Sequence, residues 1–174
     1  MTTRIVRALP AALVAVLAVP AAAHAAEGPT LDDSVSALNT FWVLFAAVLV
    51  MFMQAGFALL EIGFSRAKNA GLGVAKILTN YSIASIAYWA VGFALAFGGS
   101  GAIAGTKGWF LDVSSTPAEA AKDIPLLELL GISPAAFLFF QFAFCAVSLA
   151  IVWGTTLERI RFSAYVLHAI PFAA

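Results

Sequence analysis

Hydrophobic residues in this chain run in long blocks, without the short alternation of a half-buried strand or the one-sided stripe of a soluble helix. Phe41 to Leu60 is interrupted only by Gln54. At 1.5 Å per residue this block is about 30 Å of helix, one hydrocarbon thickness. Ile77 to Phe97 is the second block and Pro134 to Thr156 the third, with Ser133 placed as cap and Pro134 as the first helical residue. Phe162 to Ala174 begins a fourth, roughly 20 Å long. The pattern predicts an all-α membrane protein with three full transmembrane helices plus the start of a fourth. Glycines 98, 99 and 101 break the second block, and a long connection follows as far as Ser133. In it, Ala118 to Leu130 is expected to form a surface helix, and Trp109 and Phe110 to sit at the interface.

The N-terminus reads differently. Arg4 and Arg7 precede a short apolar run from Leu9 to Pro20, and Ala23-His24-Ala25 supplies a small-x-small pattern. Residues 1–25 are therefore expected to be a cleaved signal peptide, leaving 26–174 as the transmembrane domain with its N-terminus outside the cytoplasm. The basic residues give the same orientation. Arg66, Lys68 and Lys76 follow the first block and Arg159 and Arg161 the third. The connection between the second and third holds only Lys107 and Lys122, among acidic residues. The positive-inside rule puts Arg66 and Arg159 in the cytoplasm, as expected for a multi-pass protein of the inner (plasma) membrane.

Composition supports the membrane reading. The chain is 63% hydrophobic and 10% charged, where a soluble domain carries roughly a quarter charged residues. Lipid bilayer is the expected surrounding. A formal net charge of zero gives no electrostatic case for a nucleic-acid partner. The single cysteine, Cys145, allows neither a disulfide framework nor a metal pair and reads as a packing residue. No cofactor and no catalytic constellation is expected.

Polar groups inside apolar blocks are the candidate chemistry. In the third block Phe140, Gln141, Phe144 and Ser148 share one helical face, which Thr155 continues. Such a seam either lines a path or forms hydrogen bonds to a neighbouring helix. Phe144 lies about 15 Å from Pro134, near mid-bilayer. Ring faces at that depth attract a small cation by about 0.5–2 kcal/mol per contact, too little alone to replace its water. Glu61 falls at the cytoplasmic end of the first block, where Arg66, Lys68 or Lys76 is expected to pair with it. Gln54 is expected to hydrogen-bond a neighbouring helix. Gly56, Ser82, Ser85 and Gly92 suit close helix packing, and His168 reads as a packing residue.

The stretches MQAGFALLEIGFSRAKN (53–69), GFALAFG (92–98) and FQFAF followed by LERIRFSAY (140–165) resemble the ammonium transporter family, the Amt/methylammonium permease proteins. The likeness runs from about Asn39 to Tyr165. It implies an inverted-repeat fold, of which this chain is the first part, and a homotrimer with a pore through each subunit. It also implies a cytoplasmic PII-type regulator. Ammonium would be drawn to an outer aromatic site and lose its proton, and ammonia would pass two stacked phenylalanines. Phe144 falls on one of those gate phenylalanines and Phe140 on the aromatic bordering the outer vestibule. Gln141 matches the family's Phe-Gln pair and is given a packing role. The family's recruitment tryptophan, intramembrane aspartate, twin histidines and second gate phenylalanine belong to later helices. His168 and Trp153 match none of them. The chain is therefore expected to be an incomplete N-terminal portion that does not conduct by itself. Two other readings stay open: a small proton-coupled exporter using Glu61, and a non-transporting membrane fragment.

Overall fold

The computed structural model describes residues 28–99 and 101–174. The expected signal peptide, residues 1–25, lies outside the described residues. The chain divides into two compact units, Met1–Val35 and Ser36–Ala174.

In the first unit, residues 28–35 hold the start of helix α1, Leu31–Phe64. A reciprocal cap starts it. The Asp33 backbone N–H donates to Thr30 Oγ1 (3.1 Å), while Asp33 Oδ2 accepts from the Thr30 backbone N–H (3.0 Å) and hydroxyl (2.8 Å). This cap places the start of α1 ten residues before the expected Phe41. The 34 residues of the helix make roughly 50 Å, so α1 is longer than the hydrocarbon layer.

In the second unit, the remaining helices pack on one another. Helix α2, Ala70–Ala87, continues through a π turn at Tyr88–Gly92 into a last helical stretch, Phe93–Phe97. Helix α3 is Pro134–Thr155, with Pro134 in its first turn as expected. Ser133 holds the capping position but its side chain makes no cap bond. Instead its backbone N–H donates to Thr40 Oγ1 (3.0 Å) and its carbonyl accepts from Phe137 (3.0 Å). Helix α4 is Phe162–Ala173. Helix α2 is the hub of the bundle, packed against both α3 and α4. The core lies where these three meet: Ile77, Ala84, Phe93, Phe137, Phe142, Leu149, Trp153 and Tyr165 are all buried.

Small residues set the spacing. A Cβ on Gly92 would collide with the Ala173 carbonyl and the Tyr88 ring, so α4 approaches α2 as closely as a backbone allows. Gly56, by contrast, has open space beside it, and Ser82 bonds back to its own helix at Leu78 O (2.9 Å). The close packing expected at those two positions does not occur among the described residues. The expected surface helix at 118–130 is also corrected. It is two short helices, Pro117–Ala120 and Leu126–Leu130, divided by a turn at Pro125. Ala120, Ile124 and Leu127 are fully buried, so the segment packs into the core. No strand occurs among the described residues, and three helices are long and apolar enough to cross a membrane. The protein is an all-α, multi-pass membrane protein.

Candidate functional site

Helix α3 has one face in the core and one face uncovered. Phe137, Phe142, Ala146, Leu149, Ala150 and Trp153 are buried. Phe144, Ser148, Ile151 and Thr155 are exposed, and Phe140 and Gln141 lie half-buried beside them. The predicted seam is thus brought together on the open side. Its rings touch: Phe140 and Phe144 meet edge to face, with centroids 5.0 Å apart, the arrangement favoured by the ring quadrupoles. The hydroxyls of the seam donate within their own helix. Ser148 donates to Phe144 O (2.9 Å) and Thr155 to Val152 O (2.8 Å), both within α3.

The buried side of the bundle holds polar groups that sequence reasoning did not connect. Asn80, on α2, is fully buried. Its amide Nδ2 donates to Ala146 O on α3 (3.0 Å), and its Oδ1 accepts from the Tyr165 hydroxyl on α4 (2.8 Å). One side chain thus bridges three helices. One turn away Lys76, also fully buried, holds its ammonium 3.5 Å from the centroid of the Trp153 ring and 3.5 Å from Ile160 O. The sequence pattern puts Lys76 at the edge of the loop after α1, because the apolar run starts at Ile77. In fact α2 starts at Ala70 and carries Lys76 inside the bundle. The spacing of 76, 80 and 84 on one helical face was the available signal, since a buried lysine, asparagine and alanine line up there.

Glu61 corrects another expectation. It lies inside α1, three residues before the end of the helix, and is 3% exposed. Neither carboxylate oxygen has a hydrogen-bond partner. Arg66 pairs instead with Glu158: its Nε donates to Oε2 (2.8 Å) and its backbone N–H to Oε1 (2.9 Å), with Asn69 Nδ2 donating to Oε1 (2.7 Å). These bonds, the Arg66 backbone N–H first, hold the Glu158 carboxyl below the usual glutamate range. The Glu158 backbone lies in the left-handed region, at φ 60°. Gln54 is buried as expected, but its amide reaches no partner among the described residues, so the expected interhelical bond is not made. His168 is exposed on α4, its ring 5.6 Å from that of Phe172. No group of His, Cys, Asp and Glu that could hold a metal ion occurs among the described residues.

The arrangement is a membrane bundle with an aromatic seam on the open face of α3. A family model described as Ammonium Transporter Family matches residues 41–172, which takes in α1 from Phe41 on, α2, α3, nearly all of α4 and the whole seam.

The chain belongs to the ammonium transporter family.

Among curated relatives of this transporter family, the chain is 42% identical over 134 residues to "Ammonium transporter Amt2" of Archaeoglobus fulgidus, covering 76% of this chain and 26% of that protein. It is 36% identical over 135 residues to "Putative ammonium transporter sll0537" of Synechocystis, covering 77% and 22%. It is 37% identical over 131 residues to "Putative ammonium transporter 1" of Caenorhabditis elegans, covering 75% and 22%. The chain spans about a quarter of the length of these relatives. The family is one of transporters, not of enzymes.

Proposed function

We propose that this protein takes part in ammonium transport and that the open face of α3 forms one wall of the path. The observation that carries this is the pair of the half-buried Phe140 and the exposed Phe144, rings 5.0 Å apart, on a helix where Phe137 and Phe142 are buried in the core and Phe139 is partly buried against it. A helix facing only lipid gains little from an edge-to-face pair. A narrow path gains a constriction that admits a small molecule and ring faces that favour a cation. The seam's side-chain hydroxyls are turned back on their own helix, which leaves the wall apolar and suits uncharged ammonia better than a hydrated ion. Phe144 is then the constriction and Phe140 its outer neighbour, with Gln141 packing beside them.

In this reading Arg66, Lys68, Arg159 and Arg161 face the cytoplasm, and residues 1–25 are removed as a signal peptide. The complete protein assembles as a homotrimer in the inner membrane and answers to a cytoplasmic PII-type regulator. The exporter reading requires a mid-membrane acid, whereas Glu61 lies three residues from the end of α1.

The test is the ratio of methylammonium to ammonium flux in cells that depend on this protein for ammonium uptake. Phe144→Ala widens the constriction and should raise the ratio at least threefold. Leu78→Ala, at an exposed position on α2, should leave it unchanged. A ratio is insensitive to expression level. An unchanged ratio in Phe144→Ala would remove the seam from the path.

A further inference from the structure

Helix α1 leans on the bundle along one narrow line. Of its 34 residues only Ala47, Gln54 and Glu61 are buried. They are seven apart and so share one face. At the inner end of this line, α1 and α3 stand apart and leave a half-open groove of about 290 Å³. Ile151 and Thr155, from the open face of α3, line it on one side, and Phe57, Leu60 and Phe64 of α1 line it on the other. Glu61 lies between the two helices with its carboxylate over Gly154. A Cβ at that glycine would stand 3.2 Å from Oε1 and 3.8 Å from Cδ, and the nearest atoms to it all belong to Glu61. Both carboxylate oxygens are shut off from solvent. The side chain is thus a wedge between helices and does not face the groove.

We propose that Glu61 is a positioning residue that holds α1 away from α3 and thereby sets the width, and the size selectivity, of the inner half of the path. The part in selectivity rests on the path reading above; the spacing does not. The carboxylate itself does not touch what passes. Its surroundings make the wedge stiff. It lies beside the Trp153 indole, and that ring carries the Lys76 ammonium, 3.5 Å from its centroid. The Lys76 charge draws the carboxylate inward. Turning outward would set it among Phe57, Leu60 and Phe64, where the one hydroxyl, that of Thr155, already donates to Val152 O. Interiors are close-packed, so the gap between two helices follows the size of what stands between them. A smaller residue at 61 lets α1 settle onto Gly154 and narrows the groove. A side chain at 154 drives α1 outward and widens it.

The test pairs a distance with a selectivity. Spin labels at Leu59 on α1 and Ser148 on α3, exposed positions that do not line the groove, report the helix separation by double electron–electron resonance. The sample is the purified chain in nanodiscs, in a Cys145→Ala background. Gly154→Val should lengthen the separation by roughly 1–2 Å, and Glu61→Ala should shorten it by a similar amount. The double variant, which trades one side chain for the other, should return to the wild-type value. Glu61→Gln, alike in size, should keep that value, and so should Glu158→Ala, which cuts the exposed Arg66 pair. Gly154→Val and Glu61→Gln carry the test if Glu61→Ala does not fold. In cells that depend on this protein for ammonium uptake, the methylammonium-to-ammonium flux ratio should follow the separation, rising at least twofold in Gly154→Val and falling at least twofold in Glu61→Ala. An unchanged separation in Gly154→Val, a shift in Glu61→Gln or Glu158→Ala as large as in Glu61→Ala, or a double variant that keeps either single-variant value would each overturn the spacer. Separations that shift while the flux ratio stays fixed, in a protein whose ratio responds to Phe144→Ala, would overturn its part in selectivity. If Phe144→Ala also leaves the ratio fixed, the path is lost and the spacer stands.

Discussion

Asn80 offers a direct measure of what holds the bundle together. Replacing it with leucine keeps the volume and removes both bonds, to Ala146 O (3.0 Å) and from the Tyr165 hydroxyl (2.8 Å). The Ala146 carbonyl lies within α3 and keeps its intrahelical bond, so its loss is small. The Tyr165 hydroxyl is different. Tyr165 is 1% exposed, and its hydroxyl would be stranded at a cost of about 1–3 kcal/mol. Hydrogen bonds between membrane helices average about 0.6 kcal/mol, which sets the lower end. Asn80→Leu should therefore destabilise the bundle by about 2 kcal/mol. Tyr165→Phe, which removes the stranded group itself, should cost about 1 kcal/mol. The double variant should cost less than the sum by about 1 kcal/mol, since the same bond is removed only once. Reversible unfolding in mixed micelles, followed by circular dichroism across an SDS titration, gives all three values. If Asn80→Leu lies within about 0.5 kcal/mol of wild type, or the two changes simply add, the bridge contributes packing alone and the reasoning fails.

Other consequences can be checked with simpler means. Gly92→Val places a side chain against the Ala173 carbonyl and Tyr88 ring and should push α4 from α2, lowering the melting temperature by several degrees or more; an unchanged melting temperature would show that α4 is loosely held. The Glu158 carboxyl is held below its ordinary 4.5. Its stabilising contribution should be complete above that pH and fade as the pH falls through the lower folded value, so the melting temperatures of wild type and Glu158→Gln should converge in acid and differ at neutral pH. In a Cys145→Ala background, cysteine at Ala67 should resist a membrane-impermeant thiol reagent applied to intact cells, and cysteine at Ser115 should react. The reverse pattern would invert the proposed orientation.

How much of this was legible in the sequence depended on which periodicity carried the information. Block length located both ends of α3 and α4 and the end of the second span to within a residue or so, because long apolar runs leave few alternatives. It put the start of α2 seven residues late, at Ile77 for Ala70, and mislocated the start of α1. There the signal was a cap, Thr30 with Asp33 three residues on, ahead of a stretch too polar to count as a span. The seam was legible because residues 140, 144 and 148 repeat at the helical period on a helix that is apolar elsewhere. Which face of α3 is open was not, since both faces are apolar and only the placement of α2 and α4 distinguishes them. Glu61 and Lys76 were assigned to edges because hydropathy treats any charge as the end of a span. Their burial depends on Trp153 and Gly154, more than seventy residues further along, and no local pattern conveys that.

The π turn at Tyr88–Gly92 has a consequence for tolerance to insertion and deletion. It accommodates one residue more than an α-helical turn would, with the Phe93 N–H bonding to Tyr88 O. That extra residue sets the rotational phase of everything after it, aiming Phe93 and Phe97 at Phe137, with centroids 5.7 and 4.8 Å apart. Deleting Ala90 would leave the span long enough and apolar enough to cross the bilayer. It would also relax the wide turn to ordinary helix and turn the last segment by about 100°, carrying both rings off their partner. The span would tolerate many substitutions at this position and few changes of length.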